Sequence, residues 1–309
     1  MRTELFRLVL PEGDDQRVRQ AAVRLREGGK VMPILLSSAG PISGFEVIDP
    51  ARPGDERSAA YVALYFSQRP NATPGVALRL LRKPLYFAGM MVNAGDADAM
   101  LAGALNATGK VIEAGMLTVG LAAGIRTASS FFQMIVPNFN GAGERSFIFA
   151  DCAVNIEPDA ATLADIAIAS AHSCRSVLGE EPRVALLSFS TRGSASHASI
   201  EKINAALALV RVREPQLAID GELQADAALI QRVAASKIKD SSAVAGQANV
   251  LIFPDLNSGN IAYKLTQYMA DARAIGPVLQ GFAKPVSDLS RGCSVEDIVA
   301  TAHLLARTR

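Results

Sequence analysis

The feature that most restricts the fold of this chain is the alternation of short apolar runs with an amphipathic segment at its amino end. Residues 6–10 are largely apolar, residues 17–27 carry apolar side chains at helical spacing, and residues 31–36 are apolar again. A strand, a helix and a strand in this order are typical of a parallel sheet covered by helices. The sequence therefore predicts an α/β protein.

Size and composition narrow the class further. The 309 residues are enough for two domains, half of them are apolar, and the formal net charge is +1. This composition predicts a globular protein. The chain has no excess of basic residues that would favour binding to nucleic acid or anionic membranes. No apolar run reaches the roughly 18 residues of a membrane helix. The cysteines and histidines form no metal-ligand spacing, so no metal site is predicted. An odd number of widely spaced cysteines, without a secretory segment, predicts reduced thiols in the cytoplasm.

Polar loops follow several predicted strands. An acidic loop at residues 12–15 follows the first strand, where open α/β sheets place ligands, and it is equally explained as a solvated turn that caps the next helix. In the second half, strands near residues 151, 190, 220 and 255 also end in polar loops. Parallel sheets gather such loops at one edge, so we expect them to share one cleft with a Ser-Arg pair near the carboxyl end.

That pair, Ser290 and Arg291, precedes a predicted helix. Ser294 is expected to be the N-cap, with Glu296 and Asp297 in the first turn. A hydroxyl, a guanidinium and free backbone N–H groups can converge on an anion at such a place. The alternative is an ordinary helix start, in which Asp297 only complements the helix dipole. A second loop, at residues 188–194, offers hydroxyls and backbone N–H groups to a phosphate but lacks the lysine and spacing of a nucleotide P-loop.

Four long motifs, in order along the chain, resemble phosphate acetyltransferases (phosphotransacetylases) of the phosphate acetyl/butyryltransferase superfamily. They are residues 187–195, 219–224, 253–264 and 281–299. The resemblance implies reversible acetyl transfer between acetyl-CoA and phosphate, giving acetyl phosphate and CoA by direct thiolate attack in a ternary complex. It implies CoA as a substrate and no cofactor. It also implies a homodimer. The near-zero net charge and the lack of a long apolar run predict no nucleic-acid or membrane partner.

The same resemblance implies two α/β domains with largely parallel sheets and a cleft between them. The first is expected at residues 1–137 with 296–309, and the second, inserted in it, at 138–295. Asp297 would be the general base, Arg291 would hold the phosphoryl oxygens, and Ser290 would donate to the carbonyl oxygen. The expected substrate-binding positions are Arg69, Lys110, Ser190, Thr191, Asn257 and Ser258.

Two positions depart from the family pattern. Glu113 stands where a substrate-contacting arginine is expected, and Lys110, one helical turn away, is the candidate replacement cation. Arg69 matches a second substrate arginine only with a gap in the loop at residues 70–75. A catalytically weak homologue that binds acyl-CoA as a regulatory module is therefore the alternative hypothesis, as is an enzyme for a larger acyl group.

Overall fold

Two separate sheets, each flanked by helices, organise the computed structural model, which describes residues 5–52, 56–69 and 73–308. The strands of the described residues are β1 (Phe6–Leu10), β2 (Val31–Leu36), β3 (Glu46–Ile48), β4 (Ala99–Leu101), β5 (Ser129–Val136), β6 (Arg145–Ala150), β7 (Arg183–Leu187), β8 (Ala218–Leu223), β9 (Val250–Ile252), β10 (Arg273–Gln280) and β11 (Val286–Ser287). The helices are α1 (Gln16–Glu27), α2 (Glu56–Gln68), α3 (Pro74–Leu81), α4 (Pro84–Ala94), α5 (Thr108–Thr118), α6 (Ala160–Leu178), α7 (Ala198–Arg213), α8 (Ala225–Leu229), α9 (Gln231–Lys237), α10 (Leu256–Met269) and α11 (Val295–Leu305).

Unit 1 comprises the described residues up to Ala123 and from Phe282 onward. Its sheet has the strand order β11-β4-β1-β2-β3, and every neighbouring pair is parallel. Residues 8–10 of β1 are at most 1% exposed, as expected for a strand covered on both faces. The predicted strand, helix and strand at the amino end are confirmed as β1, α1 and β2. Helix α1 packs against α11, so the carboxyl-terminal helix completes this unit.

Unit 2 is Gly124–Gly281, and its sheet has the order β10-β5-β6-β9-β7-β8. The pairs β10/β5 and β5/β6 are antiparallel, and the other three are parallel. The small residues of α6 let it pack closely: Ser170 and Ser173 are buried and their hydroxyls hydrogen bond Gln280 on β10, at 2.9 and 2.8 Å. The predicted α/β class with largely parallel sheets is confirmed.

The boundaries of the units fall earlier in the chain than the predicted domain boundaries at 137/138 and 295/296. Strand β5 pairs with β6 and β10, which attaches Ser129–Val136 to unit 2. Strand β11 pairs with β4, which attaches the segment around Ser290 to unit 1. The ends of unit 2 are adjacent, because Ser129 and Gln280 are partners in the β5/β10 ladder. A cleft between the domains stays a prediction.

Candidate active site

The loop that follows β4 in unit 1 is folded around the carboxylate of Glu12. Glu12 follows the end of β1, is only 6% exposed, and accepts hydrogen bonds from the backbone N–H groups of residues 103–106 at 2.7–3.0 Å. The side-chain amide of Asn106 donates to it as well, at 2.7 Å. Five donors satisfy this buried carboxylate, so Glu12 supports the loop and does not offer a ligand site. Glu12 is thus not part of a solvated turn, whereas Asp15 caps α1, as the second interpretation of the acidic loop expects.

Arg17 connects this loop with the Ser-Arg segment. Asp15 caps α1 through the N–H of Arg17 at 2.7 Å, and it also pairs with the Arg17 guanidinium at 2.8 Å, which lowers the pKa of Asp15. The same guanidinium donates to the carbonyl oxygens of Ala104 at 3.0 Å, Arg291 at 2.8 Å and Cys293 at 3.0 Å. A planar group with five N–H donors suits such a junction. Arg17 therefore fixes the backbone around Arg291 relative to the β4–α5 loop.

The three predicted catalytic residues lie on one loop and the helix start that follows it. Ser290, Arg291 and Asp297 are all exposed. The Ser290 hydroxyl oxygen accepts from the N–H of Gly292 at 3.3 Å, which leaves its own proton available to a ligand. Within residues 5–52, 56–69 and 73–308, the Arg291 guanidinium has no ion pair or hydrogen bond. The Arg291 side chain is therefore unpaired while its backbone is held by Arg17.

Asp297 is part of the cap of α11. The Ser294 hydroxyl accepts from the N–H of Asp297 at 3.1 Å, and one Asp297 carboxylate oxygen accepts from the N–H of Ser294 at 2.9 Å. This reciprocal pair is a capping box, and it confirms the predicted N-cap. One carboxylate oxygen of Asp297 takes part in the cap. Asp297 thus caps α11 and also presents an exposed carboxylate.

A buried carboxyl, Asp288, lies two residues before Ser290. It is 1% exposed, one of its oxygens has no hydrogen-bond partner among the described residues, and the hydroxyl of Thr108 donates to the other. Burial raises the pKa of Asp288 to about 6, against the opposing effect of the Thr108 hydrogen bond. Gly103 has a φ of +112°, and a Cβ there would lie 2.3 Å from an Asp288 oxygen. Only glycine therefore fits where the β4–α5 loop approaches Asp288.

The cysteine of the same segment is not a reactive thiol. Cys293 is buried, and this burial raises its pKa, although the charge of Arg17 acts in the opposite direction. Burial also raises the pKa of Cys152 and, to about 12, that of Cys174. A nucleophilic cysteine needs a lowered pKa and access to solvent.

Lys110 and Glu113, the first departure from the family pattern, form an ion pair on α5. Their charged atoms are 2.7 Å apart, one helical turn separates them, and both side chains are exposed. The hydrogen bond between them raises the pKa of Lys110 and lowers that of Glu113. The charge of Lys110, the candidate replacement cation, is therefore offset by the carboxylate that stands in place of the expected arginine.

The guanidinium of Arg69 forms hydrogen bonds within the protein. It donates to the carbonyl oxygens of Leu117 at 3.0 Å and Met116 at 2.7 Å, at the end of α5. The gap needed to match Arg69 with the family falls in a loop of which residues 70–72 lie outside the described residues. Its assignment to substrate stays a prediction, beside a role in holding the end of α5.

Ser190 and Thr191 are buried in the loop after β7, and their hydroxyls hydrogen bond within unit 2. Ser190 donates to Glu222 at 2.8 Å, and the N–H of Gly193 donates to the same carboxylate oxygen at 2.7 Å. Thr191 donates to Gln224 at 3.2 Å and accepts from the backbone N–H of that residue at 3.0 Å. These contacts organise the loop, so a role in substrate binding stays a prediction.

Asn257 and Ser258 lie in the first turn of α10. A polar loop is expected after the strand near residue 255, but α10 begins there at Leu256, because Asp255 caps it through the N–H of Ser258 at 2.8 Å. The Ser258 hydroxyl donates to the Asp255 carbonyl oxygen at 2.9 Å, and Asn257 is exposed. Their assignment to substrate also stays a prediction.

Sequence reasoning missed Arg17 and Asp288. Arg17 was interpreted only as part of an amphipathic helix, since its carbonyl partners at Ala104 and Arg291 are 87 and 274 positions away. The buried carboxyl of Asp288 gives no signal in a local pattern of polar residues.

Across the described ranges, no group of histidine, cysteine and acidic side chains is arranged to hold a metal ion. None of the helices in those ranges combines the length and apolar character needed to cross a bilayer.

Comparison with known proteins agrees with the motifs. A family model described as phosphate acetyl/butaryl transferase matches residues 1–306. The chain is 43% identical to the phosphate acetyltransferase of Acetivibrio thermocellus over 99% of this chain and 94% of that protein. It is 45% identical to that of Thermoanaerobacterium thermosaccharolyticum over 95% and 92%. The structure of the EutD phosphotransacetylase from Staphylococcus aureus superposes with a TM-score of 0.89 at 38% identity, covering 98% of this chain and 94% of that one. The chain therefore belongs to the phosphate acetyl/butaryl transferase family.

Proposed function

We propose that this protein is a phosphate acetyltransferase, which transfers an acetyl group reversibly between CoA and inorganic phosphate. The observation that carries this proposal is the exposed guanidinium of Arg291, which has no partner among the described residues, on a backbone held by Arg17 and six residues before the carboxylate of Asp297. Family membership over nearly the whole chain supports the same reaction.

In the direction of acetyl-CoA synthesis, the CoA thiol attacks the carbonyl carbon of acetyl phosphate. Asp297 accepts the thiol proton, since a thiol with a pKa near 8.5 is mostly protonated at neutral pH. Ser290 donates to the carbonyl oxygen as it gains negative charge. The carbon–oxygen bond to phosphate then breaks, and Arg291 stabilises the charge on the departing phosphate. The reverse direction uses the same groups, with the proton returned to the sulfur.

This scheme needs neither an acyl-enzyme nor a redox cofactor. The acetyl group passes directly between two bound substrates, so CoA enters as a substrate and holding both substrates together supplies much of the rate. The raised pKa of Cys293 is consistent with a thiol that takes no part. Arg69, Lys110, Ser190, Thr191, Asn257 and Ser258 are proposed to contact the substrates.

We further propose a cytoplasmic homodimer. Support for self-association comes from α10, where four large apolar side chains share one face and are exposed: Ile261 (56%), Leu265 (52%), Tyr268 (82%) and Met269 (81%). An exposed apolar stripe of this kind is typical of an association surface. Three buried free cysteines agree with a reducing compartment.

The activity is tested by following thiol release from acetyl-CoA in the presence of phosphate. We expect turnover by the wild-type protein, and we expect Arg291→Ala to lower kcat by about 10²–10³-fold, the usual effect of losing a donor to developing negative charge. Arg307→Ala, which removes an exposed arginine of the same terminal segment, is the control. If the wild-type protein binds acetyl-CoA without turnover, the chain is a binding module and the proposal fails.

A further inference from the structure

The loop that carries Ser290 leaves the sheet of unit 1 beside the β4–α5 loop. Strands β11 and β4 are parallel, and the N–H of Ala102 donates to the carbonyl oxygen of Ser287 at 3.1 Å. Strand β11 ends at Ser287, so the ladder does not fix the loop beyond that residue. The position of Ser290 therefore depends on contacts that side chains make with the loop.

Two anchors hold this loop, one on each side of Ser290. After it, the Arg17 guanidinium donates to the carbonyl oxygen of Arg291 at 2.8 Å. Before it, the carboxyl of Asp288 is buried, and the hydroxyl of Thr108 donates to one of its oxygens. The exposed side chain of Ser290 thus lies between a bound carbonyl group and a bound carboxyl group.

Thr108 is the first residue of α5, and its hydroxyl connects that helix with the Ser290 loop. The N-cap of α5 is Ala107, which makes no side-chain hydrogen bond to the helix. The Thr108 hydroxyl donates to Asp288, a residue 180 positions away in the chain. This hydrogen bond is therefore a tertiary contact, and it joins the start of α5 to the residue that precedes Leu289 and Ser290.

The β4–α5 loop contacts the same carboxyl through Gly103. The N–H of Gly103 donates to Glu12 at 2.9 Å. On its other side, a Cβ added to Gly103 would lie 2.3 Å from an Asp288 oxygen and 2.5 Å from the backbone nitrogen of Leu289. Because closely packed groups leave no free space, a shift of the Asp288 side chain would displace both this loop and the Ser290 loop.

Stability does not explain a carboxyl at this position. Burial is the main cause of the raised pKa of Asp288, which is about 6, and the charge of Glu12 raises this pKa as well. At neutral pH Asp288 is therefore ionised, and one of its oxygens has no hydrogen-bond partner among the described residues. A buried charge of this kind lowers the stability of the folded state, and replacing buried charges by apolar side chains of similar size is often neutral or stabilising. The carboxylate is explained by a task other than stability, and the loop that it adjoins carries Ser290.

We propose that Asp288 and Thr108 are positioning residues for Ser290. The Thr108 hydroxyl holds the Asp288 carboxyl, and this carboxyl fixes the loop from which the Ser290 hydroxyl donates to the carbonyl oxygen of the acetyl group. This inference rests on the proposed function. Because the two residues act through Ser290 and not on a substrate, their loss lowers the rate of acetyl transfer and leaves substrate binding nearly unaltered.

Two substitutions at one position test the proposal in the full-length protein. Thr108→Val replaces the hydroxyl by a methyl group of similar size, whereas Thr108→Ser keeps the hydroxyl. In the thiol-release assay we expect Thr108→Val to lower kcat by at least about tenfold, with the KM for acetyl-CoA and for phosphate changed by less than about twofold. Thr108→Ser should retain the wild-type kcat. The control, Thr266→Val, removes a hydroxyl that donates to the Ala262 carbonyl oxygen within α10, and it should leave kcat unaltered.

Hydrogen exchange, followed by mass spectrometry on the same variants, reports on the loop independently of turnover. We expect the backbone amides of residues 289–293 to exchange faster in Thr108→Val than in Thr108→Ser or wild type. A wild-type kcat in Thr108→Val, equal losses of kcat in both Thr108 variants, or unaltered exchange of the loop overturns the positioning role. A wild-type protein without turnover contradicts the proposed function instead, and the exchange rates then decide the positioning role by themselves.

Discussion

Arg17 is the residue on which the geometry of the Arg291 segment depends most directly. Replacing Arg17 with alanine removes the donor to three carbonyl oxygens and leaves the Asp15 carboxylate without its ion-pair partner. We expect Arg17→Ala to lower stability by about 1–3 kcal/mol and kcat by about 10²-fold, since small displacements of positioning groups have effects of that size. Urea denaturation and steady-state kinetics measure the two effects.

Arg24 provides the matched control for Arg17. It lies on the same helix and also contacts the carboxyl-terminal segment, through an exposed ion pair with Glu296. Exposed pairs contribute little, so Arg24→Ala should change neither stability nor kcat appreciably. Equal effects of the two substitutions would mean that Arg17 has no special role in positioning Arg291.

Asp288 gives the protein a stability that depends on pH. An aspartate in an unfolded chain titrates near pH 3.9, whereas burial raises the pKa of Asp288 to about 6, so the folded state retains the proton between these values. The contribution of Asp288 to the free energy of unfolding is therefore fully present below about pH 4 and is lost as the pH rises towards 6, by on the order of 3 kcal/mol.

The Asp288→Asn variant tests this dependence, because an amide of the same shape does not ionise. We expect the fall in stability between about pH 4 and 6, measured by urea denaturation, to be smaller in the variant than in wild type. Asp240→Asn, at an exposed position, should follow the wild-type curve. Identical pH profiles for Asp288→Asn and wild type would show that the carboxyl is not held neutral by the fold.

The start of α11 combines a structural and a proposed chemical role that substitutions can separate. Asp297→Asn keeps an oxygen that can accept from the N–H of Ser294, so the free energy of unfolding should change little. The amide cannot accept the thiol proton, so kcat should fall by about 10²–10⁴-fold. Ser294→Ala removes the hydroxyl half of the capping box and should cost about 1 kcal/mol of stability while most activity remains.

Thermal melts and kinetics on these two variants decide between the roles. If Asp297→Asn loses stability and activity together, as Ser294→Ala loses stability, then Asp297 acts only through the helix cap. An unaltered kcat in Asp297→Asn would remove the general base from the proposed mechanism.

The proposed self-association concerns a surface of unit 2. The stripe on α10 is the proposed contact, and a stable dimer buries about 800 Å² on each partner. We expect Tyr268→Glu/Met269→Glu to be a monomer by light scattering under conditions where wild type is a dimer. Val212→Glu, on α7, alters an apolar side chain that is as exposed as Tyr268 (82%) and should leave the dimer intact. A wild-type monomer, or a dimeric variant, would contradict this surface.

The class of fold, most helix and strand positions, and the cap at Ser294 follow from the sequence alone. These features depend on apolar spacing and on partners within a few residues, as in the Ser294–Asp297 pair. The motifs around Ser290 and Asp255 also carry the family assignment, because they are contiguous. The polar loop expected near residue 255 is instead the first turn of α10, because Asp255 caps that helix.

Only the tertiary structure reveals that Arg17 holds the Arg291 backbone, that Glu12 supports the β4–α5 loop, and that strand β5 belongs to unit 2. Each depends on partners distant in the chain: Arg17 and Arg291 are 274 positions apart, and Glu12 and Gly103 are 91 apart. Local spacing records which face of an element is buried, but it does not record which distant donor satisfies a buried carbonyl or carboxylate. That choice is made when the sheets assemble, because every buried polar group must then find a partner.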